Sequence, residues 1–310
     1  MTELDIGVYV PQMGFGYADV LHRALRCEEL GIRSLWLYDH LYGPGMPTIP
    51  SLEAWTLATA LLSRTERLRV GHMVLCNQFR HPAVLAKMAT TLDQISNGRL
   101  ELGIGSGSIE DEHARLGLPW GTFRERSERL GETLEILTMA FAEERIDYAG
   151  AHYTVRDMPI VPGTVQRPRP PIIVGGVGEK YTLPLVARYA DVWNVPTYAL
   201  GDLERKLDVL RACCAEIGRD PDSITLSVEA VMALAPDDAA LPAVTALAEK
   251  RFGGTGFGLR EGGLVGTPGA IVERIRRYEA LGFRQIVLFT HDRASDATLD
   301  LLAAEVLPAL

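Results

Sequence analysis

The stretch Arg99-Leu-Glu-Leu-Gly-Ile-Gly-Ser-Gly-Ser108 decides the reading of this 310-residue chain. Leu100, Leu102 and Ile104 recur at every second position, the period of a strand. Gly103, Gly105 and Gly107 take alternate positions, so one side of the strand nears its end without β-carbons. Glycine placed this way marks a tight bend or the close approach of a ligand.

Working outward, the same strand-then-helix rhythm precedes and follows this stretch. Leu4 to Val10, Arg33 to Tyr38 and Leu68 to Leu75 read as strands. Helices are expected over Ala18 to Leu30, after a cap at Ser51 with Glu53 in the first turn, and over Pro82 to Ile95. Downstream, Ile172 to Gly176, Asp191 to Val195, Ile224 to Leu234 and Gln285 to Phe289 supply four more strands, separated by helical stretches. Eight strands with helical crossovers predict one closed (β/α)8 TIM barrel over 1–310. Insertions at the C-terminal rim are expected at about 108–125, 145–170 and 252–265, where the rhythm breaks. The last is glycine-rich over 252–263 and suits a lid or a disordered loop equally.

Composition limits the function classes. The net charge is −9, and Lys and Arg are scattered, which argues against nucleic acid or an anionic membrane as partner. Cys27, Cys76, Cys213 and Cys214 show no C-x-x-C spacing and read as reduced residues, so a cytoplasmic protein is expected. The chain start lacks a basic region followed by an apolar run, which fits that expectation. His113 follows Asp111 and Glu112 without an H-E-x-x-H pattern, so no metal is expected. The glycine cluster lacks dinucleotide-fingerprint spacing, and Ser106 and Ser108 do not sit in a G-x-S-x-G elbow.

In a barrel of this type the strand ends at the C-terminal face carry the chemistry. Those ends include Asp39-His40, Cys76-Asn77, Gly105 to Ser108, Gly175 to Gly178, Asn194 and Glu229. Tyr38-Asp-His40, the block Phe79-Arg-His-Pro-Ala-Val-Leu-Ala-Lys87, Thr90 to Arg99 running into Leu102 to Gly107, and Pro171-Ile-Ile-Val-Gly-Gly176 together resemble the bacterial luciferase-like superfamily of flavin and deazaflavin oxidoreductases. The chain is most similar to the coenzyme F420 branch, with its methylenetetrahydromethanopterin reductases and sugar-phosphate dehydrogenases.

The resemblance implies an F420-dependent oxidoreductase that moves a hydride between the deazaflavin C5 and a small organic substrate, acting as a homodimer. It implies Asp39 as a cofactor contact, His40 as the catalytic proton-exchanging residue and a non-prolyl cis peptide at about Met73-Val74 behind the ring. Gly105, Ser106 and Gly107 with Asp111 complete the expected ring surroundings, and Val174, Gly175, Gly176, Val177 and Gly178 the expected phosphate cradle ahead of a helix. One departure is Ser108, which stands where the sugar-phosphate dehydrogenases carry a glutamate, so that acid is absent. Two alternatives remain open: an FMN-dependent monooxygenase using molecular oxygen, and a flavin-binding barrel without turnover.

Overall fold

The computed structural model describes residues 4–254 and 257–310. Thr255 and Gly256, within the glycine-rich run, lie outside the described residues. Eight barrel strands run β1 (Asp5–Tyr9), β2 (Ser34–Leu37), β3 (Arg69–His72, resumed at Leu75–Cys76), β4 (Leu100–Gly105), β5 (Ile172–Gly175), β6 (Val192–Val195), β7 (Thr225–Leu234) and β8 (Phe283–Thr290). Each pairs in parallel with its sequence neighbours, and β8 returns to β1 through Asp5 opposite Gln285. The sheet therefore closes into the expected (β/α)8 barrel.

Alternation along each strand sorts the side chains. Leu100, Leu102 and Ile104 join Leu35, Val70, Val174 and Leu288 in the apolar layer between barrel and helices. Tyr9, Trp36, Tyr38, Met73, Ile173, Val192 and Val287 form a separate cluster, which fills the barrel. The fully buried Trp36 indole has room because two strand positions facing it are glycine. A β-carbon at Gly7 would come within 2.6 Å of its Nε1, and one at Gly71 within 2.6 Å of its Cζ3. Its N–H donates to Ser34 Oγ at 2.9 Å.

The insertions divide between the two ends. The 108–125 segment leaves the end of β4 and contains a short helix, Glu110–Leu116. After β7 the extra layer is larger than expected: helix Leu241–Phe252, the turn Leu259–Gly262 and a short strand, Leu264–Gly266, paired with Met232 to Leu234. The crossover to β8 is then helix Pro268–Ala280.

The 145–170 segment differs from the expectation in its origin. It follows helix Phe123–Ala142 and leads into β5, so it starts at the N-terminal mouth rather than the catalytic rim. Its hairpin, Arg145–Ala149 with Thr154–Pro159, climbs the outside of that helix, and Glu132 accepts the amides of Ala151, His152 and Tyr153 at its tip. Gln166 then reaches Asp93, Leu100 and Arg69 at the barrel floor.

Candidate active site

At the C-terminal end of the strands lies a cavity of about 500 Å³, within the size range of small-molecule sites. Most of the residues expected from the sequence meet there: Asp39, His40, Met73, Val74, Gly105, Ser106, Gly107 and Gly175 to Gly178 all line it. Two expected contacts stand apart. Val174 is buried in the layer facing the helices. Asp111 lies on the exposed face of its helix, where it accepts from the Tyr42 hydroxyl at 2.6 Å and from Arg115 at 2.7 Å. One residue along a helix turns the side chain by about 100°, so its neighbour Glu112 points inward instead.

The glycines serve a different partner from the one foreseen. The peptide between Met73 and Val74 is cis, and Val74 sits at the interruption of β3. A β-carbon at Gly105 or at Gly175 would approach a Val74 methyl to 2.8 Å, and one at Gly103 would strike the His72 carbonyl. Bare backbone on β4 and β5 therefore makes room for Val74, and Val74 presents the apolar wall that a flat ring would rest on. Gly176 has φ +116°, a conformation side chains rarely adopt. Trp193 donates to its carbonyl at 2.8 Å, fixing the loop ahead of helix Thr182–Tyr189. Amides at such a helix start suit an anionic phosphate.

On the opposite side the polar groups are tightly paired. His40 follows β2, and its Nδ1 lies 2.7 Å from Glu112 Oε2. Glu112 Oε1 accepts the Leu41 amide at 2.8 Å, so both carboxylate oxygens act as acceptors on one short segment. The proton of that imidazole contact must then reside on Nδ1, which leaves Nε2 to take or give a proton.

Asp39 has a more structural setting than the sequence suggests. Arg80 donates to both of its oxygens, at 2.7 and 3.0 Å, and the Cys76 amide donates at 2.9 Å. Arg80 also reaches Glu53 at 2.5 Å. Glu53, rather than Ser51, caps the following helix by accepting the Trp55 and Thr56 amides. Ser51 instead meets the Tyr38 hydroxyl at 2.9 Å.

The sequence does not single out Glu112 or Arg80 as site residues, and it places Cys76 and Glu229 at strand ends without showing their surroundings. Glu112 and Arg80 gain their meaning only through contacts 72 and 41 residues away. Cys76 Sγ lies 3.7 Å from His113 Nε2, while His113 Nδ1 donates to the Ile109 carbonyl at 2.9 Å. Burial pushes the Cys76 thiol up to about 12, so it remains a thiol. Glu229, on β7, lines the cavity, and burial alone raises its carboxyl to about 8.

The chain is similar to several known proteins. The F420-dependent glucose-6-phosphate dehydrogenase of Microbacterium testaceum is 32% identical, over 99% of this chain and 97% of that protein. Among solved structures, an F420-dependent secondary alcohol dehydrogenase in complex with an F420-acetone adduct superposes with TM-score 0.82 at 20% identity, over 99% of both chains. The coenzyme F420-dependent tetrahydromethanopterin reductase of Methanopyrus kandleri gives TM-score 0.82 at 18% identity, again over 99% of both chains. Residues 1–255 match the profile of the luciferase-like monooxygenases, and with the barrel, the Val74 wall and the paired His40 in place, the chain belongs to that family.

Proposed function

We propose that this chain is an F420-dependent oxidoreductase that exchanges a hydride with a small organic substrate, with His40 handling the accompanying proton. The observation that carries this reading is the juxtaposition, in one cavity, of the Val74 wall and the His40–Glu112 pair. The similarity to proteins named for F420 supports the choice of cofactor. Val74 and the glycines at 105 and 175 fit a planar ring, and Gly176 to Gly178 fit its phosphate.

F420, when bound, supplies a two-electron hydride acceptor at C5 in its oxidised form and a hydride donor there in its reduced form. For an alcohol substrate, the carbinol C–H leaves with its electron pair as hydride, and Nε2 of His40 takes the hydroxyl proton, leaving a carbonyl product. In the opposite direction His40 returns that proton. Glu112 stabilises the imidazolium formed in the forward step and keeps the ring oriented.

A homodimer in the cytoplasm belongs to the same proposal. Val84 and Ile95 on helix Pro82–Ser96 and Val161 are exposed apolar residues, and Lys87 of that helix donates to the Val161 carbonyl. Exposed apolar residues of this kind suit a contact with a second copy, and unbridged cysteines suit a reducing compartment.

Titration of cofactor-free protein with F420 and with FMN, read by intrinsic fluorescence, tests the assignment. Micromolar or tighter binding of F420 with far weaker FMN is expected, together with no oxygen uptake during turnover. Preference for FMN with oxygen consumption would instead place the chain among the monooxygenases.

A further inference from the structure

Three acidic side chains line the cavity, and they are not equivalent. Asp39 is held by Arg80, and Glu112 by His40 and the Leu41 amide. Glu229 is nine-tenths buried on β7, faces the same space, and hydrogen-bonds to no other described residue. The groups around it are neutral: the phenol of Tyr9 on β1 and that of Tyr198 after β6 are its ionisable neighbours. The Glu229 carboxyl oxygens open on the cavity rather than lying sealed in the core, so their hydrogen bonds are left to what occupies that space.

The remainder of the lining sharpens this point. No Lys or Arg is among the described residues that line the cavity. The nearby arginines are committed elsewhere. Arg80 holds Asp39 and Glu53, and Arg126 lies 3.6 Å over the Trp120 ring. Among the described residues a substrate phosphate would therefore meet no lysine or arginine there, while losing its hydration beside a carboxyl.

We propose that Glu229 is the substrate-selecting residue of this cavity, and that it selects an uncharged, hydrogen-bonding organic molecule over a phosphorylated one. The proposal rests on the oxidoreductase reading above and names the substrate class for that site. Held in its protonated form by burial, the carboxyl donates one hydrogen bond and accepts another, so it matches a hydroxyl, carbonyl or ether oxygen. This sets the chain apart from the 32%-identical relative that is named for glucose 6-phosphate.

The test uses F420-loaded protein and four probes: 2-propanol, cyclohexanol, glucose and glucose 6-phosphate. Turnover of at least one uncharged probe is expected, with kcat/KM for glucose 6-phosphate lower by about tenfold or more. Glu229→Ala should raise KM for the accepted probe about tenfold with a smaller change in kcat. In wild type KM should climb as pH passes about 8, and Glu229→Gln should flatten that climb. Preferred turnover of glucose 6-phosphate would overturn the proposal, as would a KM unmoved by Glu229→Ala.

Infrared difference spectra of the cofactor-free protein separate this outcome from failure of the F420 assignment. The protonated-carboxyl stretch, assigned by its loss in Glu229→Gln, should shift with an uncharged probe and not with glucose 6-phosphate. The reverse pattern, or a band that no uncharged probe moves, overturns the proposal whether or not F420 binds.

Discussion

Two walls of one cavity satisfy their polar atoms in opposite ways. On the side built from the ends of β2 and β3 and the helix Glu110–Leu116, His40, Glu112, Asp39 and Arg80 close on one another at 2.7 to 3.0 Å. On β7, Glu229 has no such partner among the described residues. The first wall is complete before any ligand arrives, which keeps reacting groups oriented at no reorganisation cost. The second is left for a ligand to complete, which suits selection between ligands. Under the proposed function, machinery and selectivity fall on different strands of the same barrel.

Removing the proposed proton-exchanging group has the largest expected effect: His40→Ala should lower kcat about 10²- to 10⁴-fold while F420 affinity, read by fluorescence, stays within about twofold. Arg80→Met strands the buried Asp39 carboxylate and leaves Glu53 without its cation. A loss of about 3–5 kcal/mol in urea-unfolding stability is expected, and a loss below about 1 kcal/mol would show that the first wall does not depend on this pair.

A pH experiment addresses the second wall. Burial raises the Glu229 carboxyl from its ordinary 4.5 to about 8. Between those values the folded protein keeps a proton that the unfolded chain releases, so this contribution is full below 4.5 and lost as pH rises through about 8. Wild type should lose roughly 4 kcal/mol more than Glu229→Gln between about pH 5 and about pH 9, as measured by urea unfolding. Equal pH profiles would mean that the carboxyl is solvated and the contrast between the walls is false.

Glu112→Gln keeps a hydrogen-bonding side chain beside His40 but removes the carboxylate, and kcat should fall about 10- to 100-fold in steady-state assays. Asp111→Asn alters an exposed residue that pairs with Arg115 outside the cavity lining. Its effect on unfolding stability should lie within about 0.5 kcal/mol, with F420 affinity unchanged. A large loss of affinity in that variant would return Asp111 to the cofactor site.

Much of this molecule is legible from the chain alone, because the controlling patterns are local. Leu100, Leu102 and Ile104 face the helices as their period-2 spacing requires, and the repeated strand–helix rhythm produces the closed barrel. The strand ends that the rhythm predicts, from Asp39-His40 to Gly175–Gly178, converge on one cavity. Resemblance added the cis peptide at Met73-Val74, which periodicity does not encode.

Contacts across the barrel were decided only by tertiary structure. Closure brings Glu112 to His40 across 72 residues and Arg80 to Asp39 across 41, and the turn of one short helix chooses Glu112 over Asp111. The glycines of β4 were visible as an absence of side chains, but that the space is filled by Val74 follows from the interruption of β3 beside them. Likewise, the sequence places Glu229 at a strand end, but only the fold sets it near Tyr9 and Tyr198 in a lining that, among the described residues, holds no lysine or arginine. Sequence spacing sets which face of its own element a side chain occupies; whether that face meets a charge, a glycine or open cavity depends on the crossings that close the barrel.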